Sequence, residues 1–124
     1  MAAPLILIVE DNDKNLKLAR DLLQHQGFQT LEADTAAAGI SLAEQCIPDL
    51  ILMDIQLPDM DGVTALRRLR ESADTSSIPV VALTAFAMAA DRERLLAAGF
   101  DGYIAKPIDI HDFPHRVGQY CEPT

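Results

Sequence analysis

Residues 50–62 read LILMDIQLPDMDG, an apolar run that ends at Asp54 and then turns through Pro58 and Gly62. Leu50 to Met53 are apolar at every position, so both faces of this predicted strand are apolar and it belongs in the middle of a sheet. An ionised carboxylate beside a buried strand is costly unless another group compensates its charge. The position of Asp54 therefore directs attention to charged groups elsewhere in the chain.

Five short apolar runs alternate with segments of helical periodicity, which predicts a parallel sheet covered by helices on both faces. Right-handed crossovers then give a doubly wound α/β fold. The polar residues of the second run are typical of an edge strand, which predicts the strand order 2-1-3-4-5. The predicted strands are Leu5–Val9, Gln29–Ala33, Leu50–Met53, Val80–Leu83 and Gly102–Ala105.

Five helices are predicted after the five strands, and several of their ends carry sequence signals. Gly27 and Gly99 are expected to end the first and fourth helices, and Pro48 closes the second. Asp61 is the predicted N-cap of the third helix. In the fifth helix, Pro114 removes a backbone donor unless it lies in the first turn, where Asp112 as N-cap would place it.

Polar residues follow the central strands at their carboxyl ends. In a doubly wound sheet the functional crevice lies beyond these ends, where the winding reverses, here between the first and third strands. Each central strand therefore delivers a polar side chain to the same edge of the sheet. These residues are Glu10 and Asp11 after the first strand, Asp54 after the third, Thr84 after the fourth and Lys106 after the fifth.

Three carboxylates at one edge repel one another unless a cation lies among them or one remains protonated. Mg²⁺ prefers oxygen ligands and commonly uses one or two carboxylates, waters and a phosphate oxygen. Asp11 and Asp54 are the candidate direct ligands, and Glu10 is expected to orient bound water. The Lys106 ammonium and the Thr84 hydroxyl can bind phosphoryl oxygens, and a carboxylate can form an acyl phosphate as a nucleophile. Together these groups indicate phosphoryl transfer.

Each of these residues also has an ordinary structural explanation. Asp11, together with its neighbours Asn12 and Asp13, could cap a helix. Asp54 before a turn could be structural, and Lys106 could be an exposed lysine. Their joint placement at the ends of different strands favours a functional site.

Composition limits the partners that this chain can bind. With 10 basic and 19 acidic residues, the formal net charge of −9 argues against direct binding to nucleic acid. The longest uncharged stretch, residues 75–90, falls short of the ~20 residues that span a bilayer, so no membrane segment is expected. A chain of 124 residues is long enough for one domain with a real core.

Four stretches resemble the receiver domain of two-component response regulators: ILIVEDN, DLILMDIQLPDMDG, PVVALTAFA and YIAKPI. The resemblance extends over essentially the whole chain, residues 1–124, as a single receiver domain. Among receivers, LILMDIQLP and VVALTAFAM are most similar to DivK-type single-domain response regulators. The resemblance implies the flavodoxin-like receiver fold in a cytoplasmic protein.

The resemblance also implies a role for each matched residue at the acidic edge. Asp54 is the expected phosphoacceptor. Glu10 and Asp11 form the acidic pair that holds Mg²⁺, and the backbone carbonyl of Gln56 completes the protein ligands of the metal. These positions are Glu10, Asp11, Asp54 and Gln56 in this sequence.

Further matched positions imply how the phosphoryl group is bound and how the signal leaves the site. Thr84 and Lys106 are expected to bind the phosphoryl group, and Pro107 follows Lys106 where the family has a cis peptide bond. Tyr103 is the expected aromatic switch, although a tyrosine in a strand is also typical of half-buried packing. The resemblance further implies that small Ala85 leaves room for the phosphoryl group, and Gln56 and Phe86 occupy positions that in the family influence how water reaches the acyl phosphate.

These roles imply a phosphoacceptor that assists its own phosphorylation and dephosphorylation rather than an enzyme. The donor is expected to be a histidine kinase or a histidine phosphotransfer protein. The output is expected to be altered protein binding at the face formed by the fourth helix, fifth strand and fifth helix. Because the sequence ends at Thr124 with no effector module, a transcriptional output through this chain alone is not expected.

Three alternatives remain open from the sequence. The chain could be a pseudo-receiver that docks partners without phosphorylation, or a receiver excised from a hybrid histidine kinase. The start at Met1 and the short N-terminal lead favour a complete protein. A small Mg²⁺-dependent phosphatase with an aspartyl nucleophile needs a second acid two residues after the nucleophile, where this chain has Gln56.

Overall fold

A computed structural model describes residues 3–85 and 88–121 of the chain. All five predicted strands and all five predicted helices are present. β3 and β4 each extend one residue beyond the predicted end, through Asp54 and Thr84. The elements are β1 (Leu5–Val9), α1 (Asp13–His25), β2 (Gln29–Ala33), α2 (Ala36–Cys46), β3 (Leu50–Asp54), α3 (Gly62–Glu71), β4 (Val80–Thr84), α4 (Ala89–Ala98), β5 (Gly102–Ala105) and α5 (Phe113–Cys121).

The strands form one parallel sheet in the order β2-β1-β3-β4-β5, which confirms the predicted topology. β2 lies at one edge, where its Gln29 and Glu32 side chains are exposed. β3 is buried at all five positions, as its uninterrupted apolar sequence predicts for a central strand. The winding reverses between β1 and β3, and the carboxyl ends of these strands are where a doubly wound sheet binds its ligands.

Side chains on the two faces of the sheet form two separate cores. Ile51, Met53 and Ala82 face α2, α3 and α4, together with neighbours such as Leu66 and Leu95. The alternate positions face α1 and α5, where they pack with Leu23, Phe113 and Val117; these positions include Ile6, Ile8, Leu52, Leu83 and Ile104. Because side chains alternate along a strand, each central strand needs apolar residues at every position.

The helix ends follow the signals in the sequence with two differences of one residue each. Gln26 ends α1, directly before the predicted Gly27, which has a left-handed φ of 94°. Asp61 caps α3 by accepting a 2.8 Å hydrogen bond from the backbone N–H of Thr64, as predicted. Gly99 ends α4 with a left-handed φ of 113°. Ile47, rather than Pro48, is the residue that ends α2, also with a left-handed φ, of 46°. Pro48 follows immediately and cannot continue the helix.

Pro114 lies in the first turn of α5, where its missing N–H costs no helical hydrogen bond. The backbone N–H of Arg116 donates a 3.0 Å hydrogen bond to the carbonyl of Asp112. This is the bond that an N-cap residue accepts, so the predicted placement of Asp112 and Pro114 is confirmed. The helix continues to Cys121.

The loop after β3 is held close to the sheet by Gly62 and Asp59. A Cβ atom on Gly62 would lie 2.7 Å from the Cα of Ile55, so a larger residue does not fit at the start of α3. The Asp59 carboxylate accepts 2.9 Å hydrogen bonds from the backbone N–H groups of Ala36 and Ala37 at the start of α2. Both contacts fix the loop that follows Asp54.

Candidate functional site

On the face of the sheet that packs against α1 and α5, the buried side chains of β1, β3 and β5 form three rows, and each row is followed by a charged side chain. Because side chains on one face are two residues apart, the next position after a buried apolar residue on this face lies at the edge of the sheet. The last buried residues in the three rows are Ile8, Leu52 and Ile104. The residues two positions further are Glu10, Asp54 and Lys106.

The ammonium of Lys106 lies between the carboxylates of Glu10 and Asp54. Its Nζ atom is 2.9 Å from Oδ2 of Asp54 and 2.7 Å from Oε2 of Glu10. The side chains are 16% exposed for Lys106, 7% for Asp54 and 1% for Glu10, so little water screens the pairs. The structure therefore brings three of the predicted site residues into direct contact.

Backbone N–H groups hold the other oxygen of each carboxylate. Oδ1 of Asp54 accepts a 2.9 Å hydrogen bond from the backbone of Gln56. Oε1 of Glu10 accepts a 3.2 Å hydrogen bond from the backbone of Asn12. Asn12 is also the N-cap of α1, so the structural alternative for this stretch is correct for Asn12 itself. Both carboxylates are thus fixed in orientation by the loops that follow their strands.

Burial and neighbouring charges shift the pKa values at this site. Burial raises the pKa of Glu10, and the charge of Asp54 adds to that increase, although the close contact with the positive charge of Lys106 opposes it. Burial alone would lower the pKa of Lys106, but its contacts with Glu10 and Asp54 outweigh burial and raise it. Lys106 is therefore charged at neutral pH.

The acidic cluster has the composition of a divalent cation site. One carboxylate oxygen from each of Glu10, Asp11 and Asp54 lies within 4.8 Å of the others, and Asp11 is exposed. Three carboxylates and one ammonium leave two negative charges. Oε2 of Glu10 has its ion pair with Lys106 but no aligned hydrogen bond among the described residues. An all-oxygen cluster of this charge, with a buried oxygen incompletely satisfied, fits Mg²⁺.

Thr84 ends β4 on the opposite face from the charged rows. It is fully buried, and its backbone carbonyl accepts a 2.7 Å hydrogen bond from the N–H of Lys106. Thr84 therefore lies next to Lys106 at the carboxyl edge of the sheet, where the sequence predicts it. Its role in binding a phosphoryl group stays a prediction.

Tyr103 shares a face of the sheet with Thr84. In the register of β4 and β5, Tyr103 is opposite Ala82 and Thr84 is opposite Ala105. Because residues two apart on a strand point to the same face, Ala82, Thr84, Tyr103 and Ala105 all lie on one face of the sheet. Tyr103 is half-buried, and its hydroxyl accepts a 2.8 Å hydrogen bond from Nη1 of Arg92.

The structure describes most of the remaining predicted positions. The Lys106–Pro107 peptide bond is cis, as the resemblance implied. Ala85 is exposed at the edge of the site. Phe86 lies outside the described residues. Gln56 is placed by its N–H bond to Asp54, while its carbonyl as a metal ligand stays a prediction.

Sequence reasoning did not identify Arg92 as a neighbour of Tyr103. The exposed α4 buries only Leu95 among its ten residues, and its apolar residues are not gathered on one side, so the sequence does not define which side faces β5.

Among the described residues, no helix is long and apolar enough to cross a bilayer.

Residues 6–118 match the family of response regulator receiver domains. This match extends over most of the chain and includes every residue of the charged site. The chain therefore belongs to the response regulator receiver family. Its doubly wound five-stranded fold is the fold of that family, as the structural comparison below shows.

Within this family, the chain is similar to the polar-differentiation response regulator DivK of Brucella ovis. The two are 42% identical over 115 residues, which are 93% of this chain and 94% of the relative. The similarity agrees with the DivK-type resemblance in the sequence. The two chains also match over nearly their full lengths.

Two solved structures share the fold, and one of them holds a magnesium ion. The receiver domain of a sensor histidine kinase from Pseudomonas aeruginosa is 33% identical, with a TM-score of 0.87 over 97% of this chain and 98% of that one. That structure has a magnesium ion coordinated in its active site cleft. The chemotaxis response regulator CheY4 of Vibrio cholerae, at 19% identity, shares the fold with a TM-score of 0.89 over 95% of this chain and 98% of its own.

Proposed function

We propose that this protein is a single-domain response regulator that accepts a phosphoryl group on Asp54. The donor is a histidine kinase or a histidine phosphotransfer protein, and the output is altered binding of another protein. The observation that carries this proposal is the contact of Lys106 with both Glu10 and Asp54 beside exposed Asp11. This arrangement places an ammonium group directly against two nearly buried carboxylates at the carboxyl edge of the sheet.

The chemistry requires a nucleophile and positive charge at the phosphoryl oxygens. The Asp54 carboxylate attacks phosphorus, a carboxyl O–P bond forms, and the bond from phosphorus to the donor breaks. Lys106 and the Thr84 hydroxyl bind the phosphoryl oxygens as negative charge is transferred. The protein acts as a phosphoacceptor that assists its own phosphorylation and dephosphorylation, rather than as an enzyme with a separate substrate.

Mg²⁺ fits the same residues. Asp11, Asp54 and the backbone carbonyl of Gln56 are the proposed protein ligands, with Glu10 orienting bound water. When bound, the ion neutralises charge on the carboxylates and on the phosphoryl oxygens. Glu10 shows why positive charge is needed here. Because burial raises its pKa in the folded protein, its own contribution to stability is greatest at low pH and is lost as pH rises and Glu10 ionises.

We infer a cytoplasmic location for this receiver. The DivK relative supports the assignment as a response regulator, because the aligned 115 residues extend over 94% of its length. The chain's large negative charge supports protein partners over direct nucleic acid binding.

Phosphorylation of the wild-type protein tests the proposal. After incubation with acetyl phosphate and Mg²⁺, we expect intact mass spectrometry to show the mass of one added phosphoryl group. The same reaction with EDTA should show little or none, because the acidic cluster then repels the donor. Absence of any added mass with Mg²⁺ would favour the pseudo-receiver alternative.

Asp11→Asn should separate the charge of the cluster from its metal binding. Removing one of three repelling carboxylates should raise the metal-free melting temperature by about 3–5 °C, since relief of about 1 kcal/mol is expected for charges about 4 Å apart in water. Mg²⁺ at about ten times its dissociation constant should stabilise the wild type by about 1.4 kcal/mol and the variant hardly at all.

Differential scanning calorimetry with and without Mg²⁺ measures both effects. Asp13→Asn is the matched control, because Asp13 is exposed and lies just outside the cluster. It should keep the full stabilisation by Mg²⁺. Equal stabilisation of the wild type and Asp11→Asn would place the cation elsewhere.

Thr84→Ala tests how the signal leaves the site. The proposed route is inward movement of the Thr84 hydroxyl toward the phosphoryl group, which makes room for Tyr103 on the same face of the sheet. The partner surface of α4, β5 and α5 then changes, and a partner with higher affinity for the new surface shifts the population toward it. The variant should still accept phosphate on Asp54.

Chemical shifts around Tyr103 report this route. In a fully phosphorylated Thr84→Ala sample, most of the phosphorylation-dependent shift change at Tyr103 should be lost, while changes next to Asp54 remain. Wild-type shift changes at Tyr103 in that sample would rule out Thr84 as the connection.

A further inference from the structure

Two arginines contact Tyr103, one from each helix beside β5. Arg92 of α4 donates a 2.8 Å hydrogen bond to the tyrosine hydroxyl, and its Cζ atom is 5.5 Å from the ring centroid. Arg116 of α5 has its Cζ atom 5.9 Å from the same centroid, and its Nη2 donates a 2.7 Å hydrogen bond to the backbone carbonyl of Tyr103. Both guanidinium groups lie within the range of a cation–π contact.

The two arginines differ in what they hold. Arg116 binds a backbone atom of β5, and this hydrogen bond does not require a particular orientation of the tyrosine side chain. Arg92 binds the hydroxyl at the end of the ring, so its hydrogen bond exists only while the ring points to α4. Together with Ala89, Glu93 and Leu96, the Arg92 and Tyr103 side chains line a surface groove of about 250 Å³.

The alternative position for the ring lies along the sheet. Ala82 and Ala105 lie on the same face as Tyr103 and Thr84, and their side chains are small. A shift of Thr84 therefore opens space for the tyrosine ring, which larger residues at these two positions would block. Turning into this space takes the Tyr103 hydroxyl away from α4. The hydrogen bond and the ring contact with Arg92 must then both break.

We propose that Arg92 is a positioning residue that holds Tyr103 in the groove between α4 and β5 in the unphosphorylated protein. Arg92 thereby sets the resting balance between the surface and inward positions of the ring. The inference rests on the proposed function, because the inward position is the one that phosphorylation of Asp54 favours. Its specific content is that the hydroxyl contact with Arg92 opposes that change.

Loss of the Arg92 contact should shift the resting equilibrium toward the inward ring by about two- to tenfold, the effect expected for one hydrogen bond. Because the inward conformation is the one suited to the phosphorylated state, the rate of phosphorylation by acetyl phosphate should rise by up to the same factor. Fold stability should change little, since Arg92 is exposed.

The test compares three variants of the whole chain. Arg92→Met keeps the length of the side chain but removes the donor and the charge, and Arg92→Ala removes the side chain as well. Arg94→Met is the matched control, because Arg94 lies on the same helix and pairs with Asp91 at 2.6 Å, on the side that faces α3. All three change the net charge equally.

Tyrosine labelled with ¹³C at Cε gives a direct readout, because the chain has two tyrosines. Tyr103→Phe identifies the Tyr103 signal, and Tyr120 serves as an internal reference. In unphosphorylated protein, both Arg92 variants should move the Tyr103 signal toward its position in phosphorylated wild type. Arg94→Met should leave it unchanged, and the Tyr120 signal should stay in place in all variants.

Other outcomes overturn the proposal. The Tyr103 signal could remain at its wild-type position in both Arg92 variants, or Arg94→Met could move it equally. Movement in Arg92→Ala but not in Arg92→Met would assign the effect to packing rather than to the hydroxyl contact. Each of these leaves phosphorylation of Asp54 in the wild type intact, whereas failure of the proposed function appears separately as no added phosphoryl mass.

Discussion

Asp54→Asn should accept no phosphoryl group from acetyl phosphate under conditions that label the wild type. The amide has nearly the shape of the carboxylate and its oxygen can still accept the 2.9 Å hydrogen bond from Gln56. It lacks the negative charge and nucleophilicity that acyl phosphate formation requires. Lys106 keeps its contact with Glu10, so the variant should remain folded.

Intact mass spectrometry after a fixed reaction time measures the loss. Asp49→Asn is the matched control, because Asp49 precedes the same strand at its opposite end and also accepts a backbone hydrogen bond, 2.7 Å from the N–H of Leu5. This control should be labelled as fully as the wild type. Labelling of Asp54→Asn to the wild-type level would show that another residue accepts the group.

Lys106→Met should destabilise the metal-free protein by about 3 kcal/mol at neutral pH. The substitution removes the ammonium that contacts both Glu10 and Asp54 while keeping much of the apolar stem. Two nearly buried carboxylates then lack a compensating cation, and breaking one side of a buried ion pair is costly in this range. Mg²⁺ should recover part of the loss, because it supplies the missing positive charge.

The loss should depend on pH in a defined direction. Lys106 has a raised pKa, so its stabilising effect is complete at neutral pH and disappears only as pH rises through that value. Lys106 also opposes the increase in the pKa of Glu10 that burial causes, so this pKa should rise further in the variant. The difference in stability between wild type and variant should therefore shrink as pH falls and Glu10 becomes protonated.

Urea denaturation in EDTA at about pH 7 and about pH 4 measures this difference. Lys17→Met is the control, because Lys17 is exposed on α1 and has no ion pair among the residues that the structure describes. A surface substitution of this kind should change the free energy of unfolding by less than about 0.5 kcal/mol. Equal effects of the two substitutions would contradict the proposed charge balance.

The features that could be predicted from sequence depend on short-range patterns. The continuous apolar run of β3 identifies a central strand, and the polar residues of β2 identify an edge. The position of Asp54 and Lys106 at the site follows from the same alternation, because each lies two residues after a buried residue on one face. Fold and site position are thus encoded within a few residues of each strand end.

The features that could not be predicted depend on side chains that reach across the fold. The Asp59 carboxylate accepts hydrogen bonds from backbone N–H groups at the start of α2, although Asp59 lies 23 residues from Ala36 in sequence, and only the folded loop brings the two together. Arg92 could have pointed to α3 or to β5, since α4 has one buried residue to define its orientation. Long, charged side chains select partners by tertiary geometry, which local periodicity does not contain.

Location of the acyl phosphate in the wild-type chain tests the central claim most directly. Borohydride reduces an aspartyl phosphate to homoserine, and peptide mass spectrometry then identifies the converted residue. After reaction with acetyl phosphate and Mg²⁺, we expect homoserine at position 54, with Glu10 and Asp11 unchanged. Conversion at another acidic residue, with Asp54 intact in the phosphorylated protein, would contradict the account.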